Sequence, residues 1–400
     1  FEDHDKIDKT VMVVGGGIAG LTAAIQAAKA GYKVTVVEKE DQLGGWMAKL
    51  HKTVPTKPPY RDLEDTGIEA RIREVENHPN ITVYKSALLE KISGAPGMFD
   101  VKLNIKGSKN GAVEFVTGAI VQATGWRVHE SKCLERFGYG THKNVVTNVR
   151  MEEIARSGQI TRPSDGKPAK RVAFIQCAGS RDPEHLSHCS SICCLTSLKQ
   201  ALYVREQAED AKAYIFYEHI RTPGHYEDFY RRVQEDEGVF LTKGEVVGVN
   251  ENADGSLTLD VENTMLGKKI TTEVDMVVLA AGMAPVSADG EKIRAFWDAQ
   301  HIVEKGDEGA QLEEAKKTVE ALKEYDGTQI LNMEYRQGPD LPVLQYKYPD
   351  SHFICFPYET RRTGVYTAGC VRQPMDGVAA IEDATGAALK AIQCLESSNR

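Results

Sequence analysis

No apolar run in this chain reaches the roughly eighteen consecutive residues a membrane-spanning helix needs, so no direct membrane span is expected. The opening FEDHDKIDKT is too charged for a signal peptide, and because it begins on Phe1 rather than Met the true N-terminus is expected upstream. Basic clustering is also lacking: acids outnumber bases 58 to 49 and the formal charge is −9, which disfavours a nucleic-acid partner bound through its phosphates. Eight cysteines in 400 residues are too few for a disulfide scaffold, and their clustering points to metal or redox use in a reducing, cytoplasmic setting. With 41% apolar and 27% charged residues the chain is not disordered, and its length calls for two or more domains.

The first informative stretch is Thr10 to Val14, an apolar β-type run that breaks into GGGIAG and continues as LTAAIQAAKAG, with small and apolar residues at helical spacing. Gly15, Gly17 and Gly20 stand in the G-x-G-x-x-G pattern, where one glycine makes the tight turn, one lets backbone approach a pyrophosphate and one lets helix pack on strand. The phosphates would meet the N-terminus of the helix, whose unpaired N–H groups and dipole favour anions. A second β-type run, YKVTVVE, ends on Glu38 at the spacing expected of a ribose-hydroxyl ligand.

Beyond Glu38 and Lys39, the pair Gly44-Gly45 before Trp46 resembles the pattern of FAD-binding reductases more than that of NAD dehydrogenases. VQATGW (Val121 to Trp126) and GVYTAGCVRQPMDGVAAIEDATGAALKA (Gly364 to Lys390) resemble the closing segments of two-dinucleotide-domain flavoproteins. The resemblance implies an α/β fold of two Rossmann-like units with β-meander insertions. It also implies FAD along Gly15, Gly17, Ile18, Ala19 and Gly20, Glu38 and Lys39, Gly44 to Trp46, Ala123, Thr124 and Gly125, and Gly369, Cys370 and Val378. Where many such reductases carry an Asp after Ala-Gly, this chain has Cys370, read as a small apolar filler.

After TRPSDGKPAK a new strand, RVAFIQ, begins at Arg171, where such reductases start their NAD(P)H unit. A second G-x-G-x-x-G is missing. CAGSRD stands there with one glycine, so the close pyrophosphate approach is not available and direct reduction by NAD(P)H is not expected. The expected division is 1–165 for the first part of the FAD domain, 166–282 for the second unit, and 283–400 for the returning FAD domain with a helical insertion at about 285–350. The acidic segment GDEGAQLEEAKKTVEALKEYDG within that insertion reads as solvated or partner-facing.

Cys177, Cys189, Cys193 and Cys194 fall within eighteen residues as C-x11-C-x3-C-C. Four thiolates are the number a [4Fe–4S] cluster needs, and the first follows a strand while the others approach a helix start. A redox disulfide or structural zinc is the alternative, as is Cys133 replacing one ligand. Arg181, His185 and His188 in the connecting loop are candidates for tuning the sulfurs.

FIQCAGSRD, HCSSICCLTSLKQA, FGYG (Phe137 to Gly140), VVLAAGMAP and TAGC together resemble the FAD-bearing A-type component of heterodisulfide reductases, in the short form found in the related complexes of sulfur-oxidising bacteria. The ferredoxin-type C-x2-C-x2-C runs of methanogen relatives do not occur here, so one cluster is expected. The resemblance implies an electron-transfer subunit passing electrons between FAD and the cluster, a homodimer, B-type and C-type partner subunits, and sulfur oxidation. It places Lys199 near the flavin as the catalytic cation. The rival reading is a stand-alone pyridine-nucleotide-disulfide reductase with Cys189 or Cys193 attacking; a redox-silent scaffold is a third.

Overall fold

The computed structural model describes residues 7–106, 111–129, 132–306, 309–323, 333–335, 341–344, 346–351 and 354–397. The expected opening segment before residue 7, and those parts of the 285–350 insertion outside these ranges, lie outside the described residues. In chain order the first unit runs β1 (Val11–Val14), α1 (Ile18–Lys29), β2 (Val34–Val37), α2 (Ile68–Asn77), β3 (Ile81–Tyr84), β4 (Ala87–Ala95), β5 (Met98–Ile105), β6 (Ala112–Thr117), β7 (Ala119–Gln122) and β8 (Trp126–Val128). The second runs β9 (Val145–Thr147), α3 (Asn148–Arg156), β10 (Arg171–Ile175), α4 (Cys193–Gln207), β11 (Lys212–Tyr217), α5 (Tyr226–Gln234), β12 (Val239–Glu251), β13 (Leu257–Asn263), β14 (Lys268–Val274) and β15 (Met276–Leu279). The chain returns through β16 (Met283–Pro285), α6 (Gly290–Lys305), α7 (Ala310–Leu322), β17 (Met333–Tyr335), β18 (Val365–Thr367) and α8 (Gly377–Ser397).

The first sheet is parallel, in the order β18-β7-β1-β2-β3. Every residue of β1, β2 and β7 is buried, as both faces of a parallel sheet require. One face carries α1 and α8, which meet through alanines: Ala23, Ala24, Ala27 and Ala28 share a core with Ala384, Ala387, Ala388 and Ala391. The other face packs on the antiparallel meander β4–β5–β6 through Met12, Ile92, Phe99 and Leu103.

The second sheet runs β14-β13-β12-β11-β10-β15-β9, parallel from β12 to β9 and extended by the antiparallel meander β12–β13–β14. The fold is α/β, two Rossmann-like units each with a β-meander. One boundary differs from the expected 166. β9 and the α3 that follows it precede that residue, yet β9 is an edge strand of the second sheet, paired with β15. The stretch TRPSDGKPAK is not an interdomain linker. It is a turn inside the second unit, closed by Arg162 N–H donating to Lys167 O at 2.8 Å and by the Arg162–Asp165 ion pair, so its Pro and Gly mark a reversal of the chain.

Candidate cofactor and metal centre

Four segments meet at the C-terminal ends of the first sheet's strands, the position where open α/β sheets bind ligands. At the end of β1, Gly15 has φ +105°, and a Cβ there would lie 2.4 Å from Ala123 O; one on Gly20 would lie 1.8 Å from Gly15 O. Both glycines therefore serve close backbone packing. Gly17, which caps α1, faces open space instead, as does Gly125 at φ +71°. Ile18 and Ala19 open α1 against the core. The buried Glu38 carboxylate accepts N–H bonds from Gly16 at 2.6 Å and Glu40 at 2.8 Å, fixing the acid beside the glycine turn, while Lys39 next to it is exposed.

The Gly44-Gly45 turn is bonded to this one: Gly44 N–H donates to Gly16 O at 2.8 Å. Trp46 stacks on Trp126, centroids 4.7 Å apart, and its indole N–H donates to Trp126 O at 2.7 Å, joining the second and third segments. Thr124 accepts from the Gln122 amide at 3.2 Å. In the fourth segment Gly369, at φ +76°, sits so close to α1 that a Cβ would lie 2.6 Å from that of Ala19, and its N–H donates to Asp383. Val378 N–H donates to Asp376 at 2.8 Å, where α8 begins. The Cys370 thiol, donating to Met375 O at 3.3 Å, is pushed up to about 12 by burial. Burial thus favours its protonated form. Two helix N-termini and glycines opening on free space give this cradle the chemistry a dinucleotide needs.

Tyr358, Arg361 and Arg362 act within the chain: the Arg372 guanidinium covers the Tyr358 ring, Arg361 pairs with Asp350, and Arg362 is buried.

In the second unit β10 leads into Cys177, which turns the chain at φ +55°, a conformation unusual for a side-chain-bearing residue. Cys189 lies in the loop before α4, while Cys193 and Cys194 form its first turn. None of the four is joined in a disulfide. They share one electrostatic environment: burial raises Cys177, Cys193 and Cys194, and the neighbouring thiols add to each. Ser191 N–H donates to Cys189 Sγ at 3.4 Å and Cys194 reaches His219 O at 3.8 Å. Among the described residues these sulfurs do not converge within 4.8 Å as ligands of one ion. A single tetrahedral zinc, with bonds of about 2.3 Å, would draw them to about 3.8 Å. Four thiolates are also the number that several metal atoms in one cluster could share.

The loop residues divide. Arg181 Nη1 reaches Cys177 Sγ at 3.9 Å and Glu218 Oε2 at 3.1 Å. His188 turns instead toward the cradle, its Nε2 lying 3.2 Å from Met283 O and 3.1 Å from the Tyr348 hydroxyl. Ser190 Oγ accepts Met283 N–H at 2.8 Å, and β16, which starts at Met283, pairs with β8 just after Gly125. The cysteine loop and the cradle are thus directly connected.

Lys199 is not on a solvent-facing side of α4. It is buried, donates to Lys52 O at 2.7 Å and pairs with Glu152, with desolvation pulling its ammonium down. Glu152 also accepts from Gln200, Tyr203 and His51 N–H. Sequence reading missed this carboxylate because it lies 47 residues before Lys199, and it missed Glu218, His219 and the Trp46–Trp126 stack for the same reason.

A family model described as an NAD(P)-binding Rossmann-like domain matches residues 13–61. The chain is 30% identical, over 71% of its length, to the A-type component of the ferredoxin/F420H2-dependent CoB–CoM heterodisulfide reductase of Methanosarcina acetivorans, 46% of which is covered. It is 31% identical over 70% of its length to the iron-sulfur A-type component of the CoB–CoM heterodisulfide reductase of Methanocaldococcus jannaschii, 54% of which is covered. The chain spans about half the length of these curated relatives. Thioredoxin reductases of Lactococcus lactis and T. acidophilum align over 98% of this chain and 100% and 99% of theirs, with TM-scores of 0.58 and 0.56; at 14% and 15% identity this shows the fold.

Proposed function

This chain belongs to the family of heterodisulfide reductase A-type components, and from that premise we propose that it is an electron-transfer subunit, holding FAD in the cradle of the first sheet and a [4Fe–4S] cluster on Cys177, Cys189, Cys193 and Cys194. When bound, the flavin exchanges electrons in pairs and the cluster singly, so their meeting divides or merges pairs. The observation that carries the reading is the junction at His188 to Ser190, where the loop holding Cys189 is bonded to the segments flanking Gly125 and Cys370.

The chain's own groups have separable tasks. Gly17, Gly125 and the N-termini of α1 and α8 receive phosphates and ring edges, and Glu38 is placed for a ribose hydroxyl. Cys177 and Cys193, each raised by burial and by the neighbouring thiols, would have to release their protons for iron to bind, so cluster assembly would be easier as pH rises. Lys199 stands at the seam between the two units with its ammonium paired to Glu152, and would stabilise an anionic partner only in competition with that carboxylate. The same burial that raises Cys193 argues against Cys193 as the attacking thiol of the rival reading, since such a thiol needs a lowered pKa.

By analogy with the resembled short forms, the chain would work as a homodimer, in the cytoplasm, with B-type and C-type subunits that carry out sulfur oxidation. The decisive experiment is anaerobic purification with counts of flavin, iron and acid-labile sulfide, followed by a redox titration monitored by electron paramagnetic resonance. The reading expects one flavin and about four irons and four sulfides per chain, the number of a cube with one thiolate per iron. Cys189→Ala should lose the cluster signal and keep the flavin. Iron-free protein with thiol-dependent NADPH oxidation would instead establish the disulfide-reductase alternative.

A further inference from the structure

Apart from the four clustered thiols, another set of side chains converges. The ligand atoms of Cys133, Asp182 and His185 all lie within 4.8 Å of one another. They come from two places in the chain. Cys133 is buried in the short 3-10 helix Lys132–Phe137, whereas Asp182 and His185 sit on the loop between Cys177 and Cys189.

That loop is shaped by its own backbone. Arg181 N–H donates to His188 O at 3.2 Å, Asp182 N–H to Leu186 O at 3.1 Å and His185 N–H to Asp182 O at 3.1 Å. Glu184 N–H donates to Asp182 Oδ1 at 3.0 Å, orienting the carboxylate. The closed turn thereby presents the Asp182 and His185 side chains together, toward Cys133. Near them His129 Nε2 is buried with no hydrogen-bond partner among the described residues, and its imidazole lies within the fields of both Asp182 and His185. An orphaned buried nitrogen is costly, and a water bound to a nearby metal ion would satisfy it.

We propose that Cys133, Asp182 and His185 bind one zinc ion, separate from the iron–sulfur cluster, that fastens the 181–188 loop to the Lys132–Phe137 turn. One thiolate, one imidazole and one carboxylate form a donor set suited to zinc, with a water to complete the tetrahedron. Zinc bonds of about 2.0–2.3 Å in tetrahedral array set neighbouring donor atoms about 3.3–3.8 Å apart, inside the distance that bounds this trio. The loop so fastened is the one that spaces Cys177 from Cys189, so the ion would hold the cluster loop in shape without touching iron.

The test is made on the full chain with its native cofactors, so that zinc, iron and acid-labile sulfide are read independently. Zinc binding is measured by competition with a chromophoric chelator, and Co2+ is used as an optical substitute whose thiolate charge-transfer band reports Cys133. The expectation is one zinc per chain, a loss of at least about tenfold in zinc affinity in Cys133→Ser and His185→Gln, loss of the charge-transfer band in Cys133→Ser, and unchanged iron and sulfide. His185 is exposed, so His185→Gln tests the site even where Cys133→Ser fails to fold. Wild-type protein that binds no zinc overturns the proposal, as does a Cys133→Ser protein that loses iron, which would make Cys133 a cluster ligand. Loss of the cluster in Cys189→Ala with zinc retained separates this proposal from the reading of the cluster itself.

Discussion

Lys199 Nζ lies 3.1 Å from Glu152 Oε1, and both side chains are only 4% exposed. The pair joins α3 to α4 and, through Lys52 O and His51 N–H, ties both to the loop that follows the Gly44-Gly45 turn. Removing one partner of a buried ion pair strands the other, at a cost of about 3–5 kcal/mol. Glu152→Ala is expected to destabilise the chain by that amount in urea unfolding, whereas a Glu152→Gln/Lys199→Met double variant should recover most of it. Equal midpoints for wild type and Glu152→Ala would show that the pair contributes nothing to stability.

The glycines of the first turn should respond in opposite ways. At Gly20 a Cβ would stand 1.8 Å from Gly15 O, so Gly20→Ala is expected to prevent folding. Gly17 has open space around it, so Gly17→Ala should melt within a few degrees of wild type while losing flavin, because the methyl occupies the approach a pyrophosphate needs. Melting temperature and flavin content, measured on both variants, check the contrast.

Arg181 donates to Cys177 Sγ, and in the proposed cluster such a donor would raise the potential. Arg181→Met is therefore expected to retain four irons and to shift the cluster midpoint to a more negative value in a potentiometric titration. A shift in the positive direction would contradict the assigned role.

Cys370 supplies a prediction in pH. Its thiol is raised to about 12 in the folded chain, against about 8.5 for an unperturbed cysteine. With the folded value the higher one, its contribution to stability is whole below about pH 8.5 and drains away as the pH climbs toward 12. The unfolding free energy of wild type should accordingly fall faster than that of Cys370→Ala between pH 9 and 11, with parallel profiles below pH 8. Parallel profiles throughout would mean that this thiol titrates normally.

What could be read before folding was what is written locally. Strand, glycine turn, helix and Glu38 follow one another within thirty residues, and the spacing of Cys177, Cys189, Cys193 and Cys194 is visible as letters. The surroundings of Lys199 were not legible. α4 buries residues on nearly all of its faces, so its apolar pattern lacks the single stripe that would assign the lysine an orientation. The counter-ion comes from another helix. The three polar residues of the cluster loop looked equivalent in sequence, yet left-handed backbone at Arg181 and the closed turn after it send Arg181 to Cys177, His185 to Cys133 and His188 to Met283. Such divergence depends on backbone reversal, which composition does not encode. The Pro- and Gly-rich stretch before β10 marked a turn as readily as a domain boundary, and only the pairing of β9 with β15 tells them apart.

β18 lies beside β7 in the first sheet, although the whole second unit is inserted between them in the chain. At about 5–20 residues per second of synthesis, on the order of 10–50 s separate the emergence of one from that of the other. During that interval the nascent glycine turn has no edge strand and no α8 behind it, while the inserted unit already owns every strand of its sheet. The four clustered cysteines are therefore framed by a complete sheet before the polypeptide can close the glycine cradle of the first one.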